Sequence, residues 1–219
     1  MIRLICVLVG YVFGLFQTAF IYGKMHGIDI RDHGSGNAGT TNTLRVLGLK
    51  AGLIVLLGDI LKCIVPVLLV KLYCNTMGAE SFGDMEILLM MYAGAGAILG
   101  HNYPFYLKFK GGKGIAATAG LIIALPWQIT LVEAIVFFSV FFISHYVSLG
   151  SLCIYAVLVI EMIVLGQMGV FGMDQPVLVE LYVLTTLLAV MAFWKHRENI
   201  GRLIKGEERK TYLKKKSDQ

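Results

Sequence analysis

Residues 115–166 read IAATAGLIIALPWQITLVEAIVFFSVFFISHYVSLGSLCIYAVLVIEMIVLG, 52 positions that are almost continuously apolar. A helix needs about 20 mostly apolar residues to cross a bilayer, so this run is too long for one span and must fold back on itself. Proline disrupts helix interiors, which places a break at Pro126-Trp127. A second break falls at 145–150, where His145, Tyr146, Ser148 and Gly150 cluster. The run therefore predicts three helices, the first of them short. Working outward, 87–99 and 177–194 supply a helix on either side, and 51–70 and 4–22 complete the set. The expected fold is an all-α polytopic membrane bundle of about seven transmembrane helices, one membrane-embedded domain over 1–219.

Composition supports that class. The 219 residues are 57% hydrophobic and only 15% charged, where a soluble domain carries about 25% charged residues. Too little polar surface exists to cover a soluble globule, and disordered chains are poor in apolar residues. The run 4–22 is followed by no small-residue cleavage site, so it is expected to be a retained helix. Cys6, Cys63, Cys74 and Cys153 show no paired spacing, and they predict neither disulfides nor a metal site.

Orientation follows from where the cations sit. With the N-terminus outside, the segments 23–50 and 100–113, the turn near His145 and the tail from Lys195 fall on one side. They hold 16 of the 19 lysines and arginines; Arg3, Lys62 and Lys71 are the others. The opposite side receives Glu80, Asp84, Glu86 and Asp174. The expectation is an outside N-terminus and a cytoplasmic C-terminus.

Three polar segments meet on the expected cytoplasmic face. In the first, Gly34-Ser35-Gly36-Asn37-Ala38-Gly39-Thr40-Thr41-Asn42 precedes Arg45. Glycines can expose consecutive N–H groups as an anion nest, and an arginine can grip phosphate with two parallel bonds. A flexible turn between helices explains the same residues equally well, and no nucleotide P-loop is present. In the second, His101 and the aromatic Tyr103, Phe105, Tyr106 and Phe109 lead to Lys110-Gly111-Gly112-Lys113 at a helix start, which favours phosphate or simply anionic lipid headgroups. In the third, His196, Asn199 and Arg202 recur every three residues and share roughly one helical face, unless they are an ordinary basic flank. Asp59 and Lys62 lie deeper, one turn apart inside the second helix, where ionisable groups are expensive. They fit a ligand site or a structural pair. One site for two anionic substrates explains these segments together.

At these residues the chain resembles the bacterial acyl-phosphate-dependent glycerol-3-phosphate acyltransferases. The resemblance rests on GSGNAGTTNTLR (34–45), GHNYPFYLKFKGGKGIAAT (100–118) and HRENIGRLIKGEE (196–208), in that order, with GDILK (58–62) in support. Length and hydropathy match along essentially the whole chain. Tyr103 stands where that family commonly has phenylalanine, and Ile115 where it has valine.

The resemblance implies a transferase of lipid and phospholipid biosynthesis in the bacterial cytoplasmic membrane, with its active site facing the cytoplasm. The sn-1 hydroxyl of glycerol 3-phosphate attacks the carbonyl of an acyl phosphate, giving lysophosphatidic acid and inorganic phosphate. It assigns catalysis to Ser35, Arg45, Lys113, His196 and Asn199. Substrate binding falls to Gly34, Gly36, Asn37, Thr41 and Asn42, to Asp59, Lys62 and His101, and to Lys110, Gly111, Gly112 and Arg202. Partners are the two substrates, membrane lipids and a functional hand-off from the enzyme that makes the acyl phosphate; no cofactor, metal or nucleic acid is called for. An acyl phosphate is already activated, so positioning and charge stabilisation suffice. The H-x-x-x-x-D pattern of other glycerolipid acyltransferases is absent, and direct transfer without an acyl-enzyme is expected. An organic-phosphate transporter would use the same basic face, but no internal repeat is visible. A CDP-alcohol phosphotransferase needs clustered aspartates, and Asp59 stands alone in the membrane. A purely structural membrane protein leaves the three motifs unexplained.

Overall fold

A computed structural model describes residues 1–77, 82 and 85–212, and among these all regular structure is helical. The helices are α1 (Ile2–Gly14), α2 (Thr18–Met25), α3 (Thr40–Leu47), α4 (Leu49–Met77), α5 (Glu86–Asn102), α6 (Ile115–Ala124), α7 (Trp127–Ser144), α8 (Val147–Gln167), α9 (Gln175–Lys195) and α10 (Arg197–Ile204). Among the described residues, five segments are long and apolar enough to cross a membrane: Ile2–Met25, α4, α7, α8 and α9. The stretch 115–166 does fold into three helices, with α6 the short one and Pro126 as the N-cap of α7. Glu80, Asp84 and Lys214–Lys216, which entered the charge argument, lie outside the described residues.

The helix expected over 4–22 is broken, and the break has a chemical reason. Between α1 and α2 the carbonyls of Gly14, Leu15 and Phe16 each accept a side-chain donor. Gln17 Nε2 reaches Gly14 at 3.1 Å, the Tyr106 hydroxyl reaches Leu15 at 2.6 Å, and Lys62 Nζ reaches Phe16 at 2.9 Å. Freed backbone groups are tolerated at membrane depth only when protein satisfies them. Sequence periodicity carries no trace of donors arriving from positions 62 and 106.

A glycine seam joins α1 to α5. A Cβ on Gly10 would lie 1.9 Å from the Ala93 carbonyl oxygen, and one on Gly96 would lie 2.1 Å from that of Val7. Gly14 and Gly100 meet farther along the same seam. In a bilayer, helices associate by close van der Waals packing rather than by the hydrophobic effect, so small residues four apart mark the contact. The seam holds α5 buried along nearly its whole length, with Leu88, Met91, Ala97 and Ile98 among the core residues. By contrast α7 and the outer faces of α4 and α9 carry exposed Leu, Val and Phe side chains, as lipid-facing surfaces do.

The bundle has two polar ends. At one, Arg3 of α1 grips Glu180 of α9 with Nε at 2.5 Å and Nη2 at 2.7 Å, while the Tyr92 hydroxyl of α5 donates to the same carboxylate at 2.6 Å. At the other end the 26–39 and 103–114 loops, the 145–146 turn and the tail beyond α9 come together.

Candidate functional site

The loop before α3 is shaped by Asn42. Its Oδ1 accepts the Ser35 N–H at 2.8 Å, and its Nδ2 donates to the carbonyls of Ile30 and His33 at 3.1 and 2.9 Å. The backbone N–H groups of Ser35, Gly36 and Gly39 are all committed within the loop. Thus Asn42 and these amides build the loop instead of presenting an open nest. Gly34 and Gly36 have φ of 64° and 71°, a left-handed region that favours glycine. Ser35 is exposed at the loop surface; Asn37 and Thr41 are half-buried.

The glycine amides of the second loop are likewise committed within the fold. Gly112 N–H donates to the His101 carbonyl at 3.1 Å, and Gly111 N–H to that of Asn102 at 3.3 Å. A Cβ on Gly111 would fall 2.0 Å from the His101 oxygen, and one on Gly112 would fall 2.1 Å from His101 Nε2 and 2.7 Å from the Ala38 oxygen. These glycines exist because two backbones and a ring pass too closely for a side chain. Lys110 is exposed, and Lys113 extends from the loop's end, just before Gly114 caps α6.

Lys113 Nζ donates to Asn199 Oδ1. Asn199 Nδ2 in turn reaches Glu208 Oε1 at 2.7 Å, Ser148 Oγ reaches the same oxygen at 3.0 Å, and Arg202 Nε reaches Oε2 at 2.7 Å. Asn199 and Arg202 therefore do share a face of α10, and what they share is one carboxylate. Arg45 comes alongside, with Nη2 donating to the Arg209 carbonyl at 3.3 Å and to Thr211 Oγ1 at 3.1 Å. Lys195 crosses from the end of α9 to the Asn102 carbonyl at 3.3 Å, its ammonium 4.7 Å from the Tyr103 ring centre.

Glu198 and Glu208 face Lys113, but Arg202, Arg197, Arg45 and Arg209 bring more positive charge than these two carboxylates balance. Burial, reinforced by the charge of Arg202, pulls the Lys113 ammonium below its ordinary value, and burial with Arg209 does the same to Arg45. Burial alone would raise the Glu208 carboxyl, but hydrogen bonds from Arg202, Asn199 and Ser148 outweigh it and hold it low. His196 is buried, and its Nδ1 donates to the Ala192 carbonyl at 2.8 Å. That bond fixes the proton on Nδ1 and leaves the Nε2 lone pair free. Burial lowers this imidazole to about 4, and Lys113 adds to the effect.

A second cluster lies beneath the Gly111-Gly112 loop. Asp59 Oδ1 meets Lys62 Nζ at 2.8 Å and accepts the Thr18 hydroxyl at 3.1 Å; Lys62 Nζ also lies 2.6 Å from His101 Nδ1. The structure thus gathers Arg45, Lys113, His196, Asn199 and Arg202 near Glu208, with Glu198 also facing Lys113, and Asp59, Lys62 and His101 in a neighbouring buried group. Gly112 touches His101 from above. Sequence reasoning missed Glu208, Ser148, Lys195, Thr18 and Gln17. Glu208 closes the third motif and was within reach of that signal; the others depend on tertiary packing. Among the described residues no group of three or more His, Cys, Asp or Glu could hold a metal ion.

A family model described as glycerol-3-phosphate acyltransferase matches residues 4–206. The chain is 39% identical over 211 residues to glycerol-3-phosphate acyltransferase 2 of Bacillus cereus, covering 95% of each chain. It is 42% identical over 205 residues to glycerol-3-phosphate acyltransferase of Shouchella clausii, covering 93% of each. Among solved structures it resembles PlsY, an integral membrane glycerol 3-phosphate acyltransferase, in its glycerol 3-phosphate form. The TM-score is 0.80 at 30% identity over 96% of both chains. The lysophosphatidic acid form of PlsY matches with a TM-score of 0.77 at 30% identity, over 96% of this chain and 95% of that one.

Proposed function

We propose a donor, an acceptor hydroxyl and a membrane face for this enzyme from one premise: the chain belongs to the glycerol-3-phosphate acyltransferase family. It is an integral membrane acyltransferase of lipid biosynthesis. The donor is an acyl phosphate, the acceptor is the sn-1 hydroxyl, and the products are lysophosphatidic acid and inorganic phosphate. The observation that carries this reading is the excess of cations around Glu208. Arg202 pairs with Glu208, Lys113 joins it through Asn199, and Arg45 stands alongside with Glu208 and Arg202 in its field; such a field suits the phosphates of both substrates and the phosphate that leaves. An acyl thioester would bring no phosphate to the reacting carbon.

In this reading Lys113 and Arg45 stabilise the departing phosphate, while Asn199 and the loop carrying Ser35, Asn37 and Thr41 hold glycerol 3-phosphate. His196 Nε2 accepts the attacking hydroxyl and aligns it. A buried imidazole held at about 4 is a weaker base than a phosphate monoester, whose second pKa is about 6. The proton therefore passes to a substrate phosphate, and no acyl-enzyme forms. The acyl chain lies along the lipid-facing grooves between helices. This face is cytoplasmic, the N-terminus lies outside, and about seven helices cross the bacterial cytoplasmic membrane. The enzyme that makes the acyl phosphate hands it over at that surface.

The test uses protein purified into lipid with glycerol 3-phosphate, offering palmitoyl phosphate or palmitoyl-CoA. Lysophosphatidic acid and phosphate formed from palmitoyl phosphate alone are expected. Turnover with palmitoyl-CoA alone, or an acyl adduct trapped on Ser35, overturns the reading.

A further inference from the structure

The Asp59–Lys62–His101 group differs from the cluster around Glu208 in one respect: its donors are used up. An ammonium has three hydrogens and nothing to accept with. Those of Lys62 face Asp59 Oδ1 at 2.8 Å, the Phe16 carbonyl at 2.9 Å and His101 Nδ1 at 2.6 Å. None is left for a phosphate, and Lys62 is only 5% exposed. Because Lys62 can only donate, His101 Nδ1 accepts, and the imidazole hydrogen resides on Nε2. That nitrogen lies under Gly112, whose other close neighbour is the carbonyl of Ala38. The same residue's carbonyl receives the Gly112 N–H at 3.1 Å and Gln17 Nε2 at 3.2 Å. His101 therefore touches the loop before α6 and the break between α1 and α2, and through Gly112 it reaches the Ala38 carbonyl of the loop before α3.

We propose that Asp59, Lys62 and His101 are positioning residues: a buried relay that sets the height and spacing of the two substrate loops, and so the alignment of glycerol 3-phosphate, without contacting it. Asp59, itself anchored by Thr18, holds Lys62; Lys62 selects the tautomer of His101; His101 supports Gly112 against Ala38. The proposal rests on the reading that the loop carrying Ser35, Asn37 and Thr41 holds glycerol 3-phosphate and that the loop ending at Lys113 faces it.

The test compares the full-length protein in lipid with His101→Ala and His101→Gln, using palmitoyl phosphate as donor. A glutamine can accept from Lys62 through its oxygen and donate toward the loop through its nitrogen. For His101→Ala, KM for glycerol 3-phosphate is expected to rise by about tenfold or more while kcat falls by less than about threefold. His101→Gln is expected to restore most of that KM. An unchanged KM, a loss confined to kcat, or a glutamine that restores nothing each overturns the proposal. If His101→Ala fails to fold, the pair Asp59→Asn with Lys62→Gln removes both charges together and leaves no buried ion behind. The same rise in KM is expected there, and its absence overturns the relay. Should wild-type protein turn over no acyl phosphate, the donor reading fails by itself. Glycerol 3-phosphate affinity of the same variants, measured by calorimetry, then decides the relay: about tenfold weaker binding by His101→Ala supports it and unchanged binding overturns it.

Discussion

The two polar ends of the bundle are built from similar groups and do opposite things. At one end a single arginine faces a single carboxylate bidentately, a tyrosine completes the shell, and the charges balance. At the other, Arg202 pairs with Glu208, Lys113 joins through Asn199 and Arg45 stands alongside, with Lys195 and His196 close behind, and burial together with the neighbouring cations lowers Lys113 and Arg45. A balanced pair needs nothing further and acts as a clasp. An unbalanced cluster asks for an anion, and it stays assembled without one only because the fold imposes it. Proteins tolerate such local cost where function requires it.

The α1–α5 seam is what imposes it, since those two helices reach both ends. Gly96→Leu would drive a side chain into the Val7 carbonyl and break both ends at once. Overpacking against backbone is expected to cost about 3 kcal/mol or more, read as a lower melting temperature and a poor yield of monodisperse protein. A leucine variant that melts with wild type would show that the ends are held independently.

Lys113→Ala separates the ends, because it removes one cation from the unbalanced one alone. Losing a preformed donor to developing charge is expected to lower kcat/KM by about 100-fold, measured as phosphate release from palmitoyl phosphate. Melting should hold near wild type, since relieving cation excess offsets the lost bond to Asn199. Activity within a few-fold of wild type would remove Lys113 from the reaction.

His196 gives the unbalanced end a pH signature. Its folded-state value of about 4 lies below the ordinary 6.5, so the unfolded chain binds its proton more readily. The neutral ring therefore contributes stability fully above pH 6.5, and that contribution is lost as pH falls through about 4. The advantage of wild type over His196→Asn in melting experiments should shrink by about 2 kcal/mol between pH 7.5 and 4.5. An advantage that grows on acidification would mean that the imidazole is charged in the fold.

The sequence made the helices legible, and the reason lies in the solvent. A bilayer forces long apolar runs with polar breaks, so 115–166 declared its turns at Pro126 and His145 before any packing was known. It also named the residues around Glu208, since arginine, lysine, histidine and asparagine in short motifs have few uses at a membrane surface. What it could not show was partnership. The break at 15–17 depends on donors from 62 and 106, and Gly111 and Gly112 are small because His101 passes beneath them. Asn42 read as a ligand contact and folds its own loop. Each of these depends on residues distant in the chain, which motif spacing does not encode.

The smallest effect belongs to the balanced end. Arg3 and Glu180 have side chains 37% and 30% exposed, so water screens the pair, and even a bidentate arrangement at such a site is worth about 1 kcal/mol or less. Arg3→Met keeps the apolar stem against α5 and α9 and leaves Glu180 the Tyr92 hydroxyl as a partner. It should lower the melting temperature slightly and leave kcat/KM within about threefold, because the clasp lies at the other end of α1 from the break that touches His101. If Arg3→Met instead cuts activity more than about tenfold while melting barely moves, α1 transmits its position from one end to the other. The two ends would then be one coupled device, and the helix break at 15–17, where Lys62 and Gln17 grip the chain, would be the hinge through which the coupling runs.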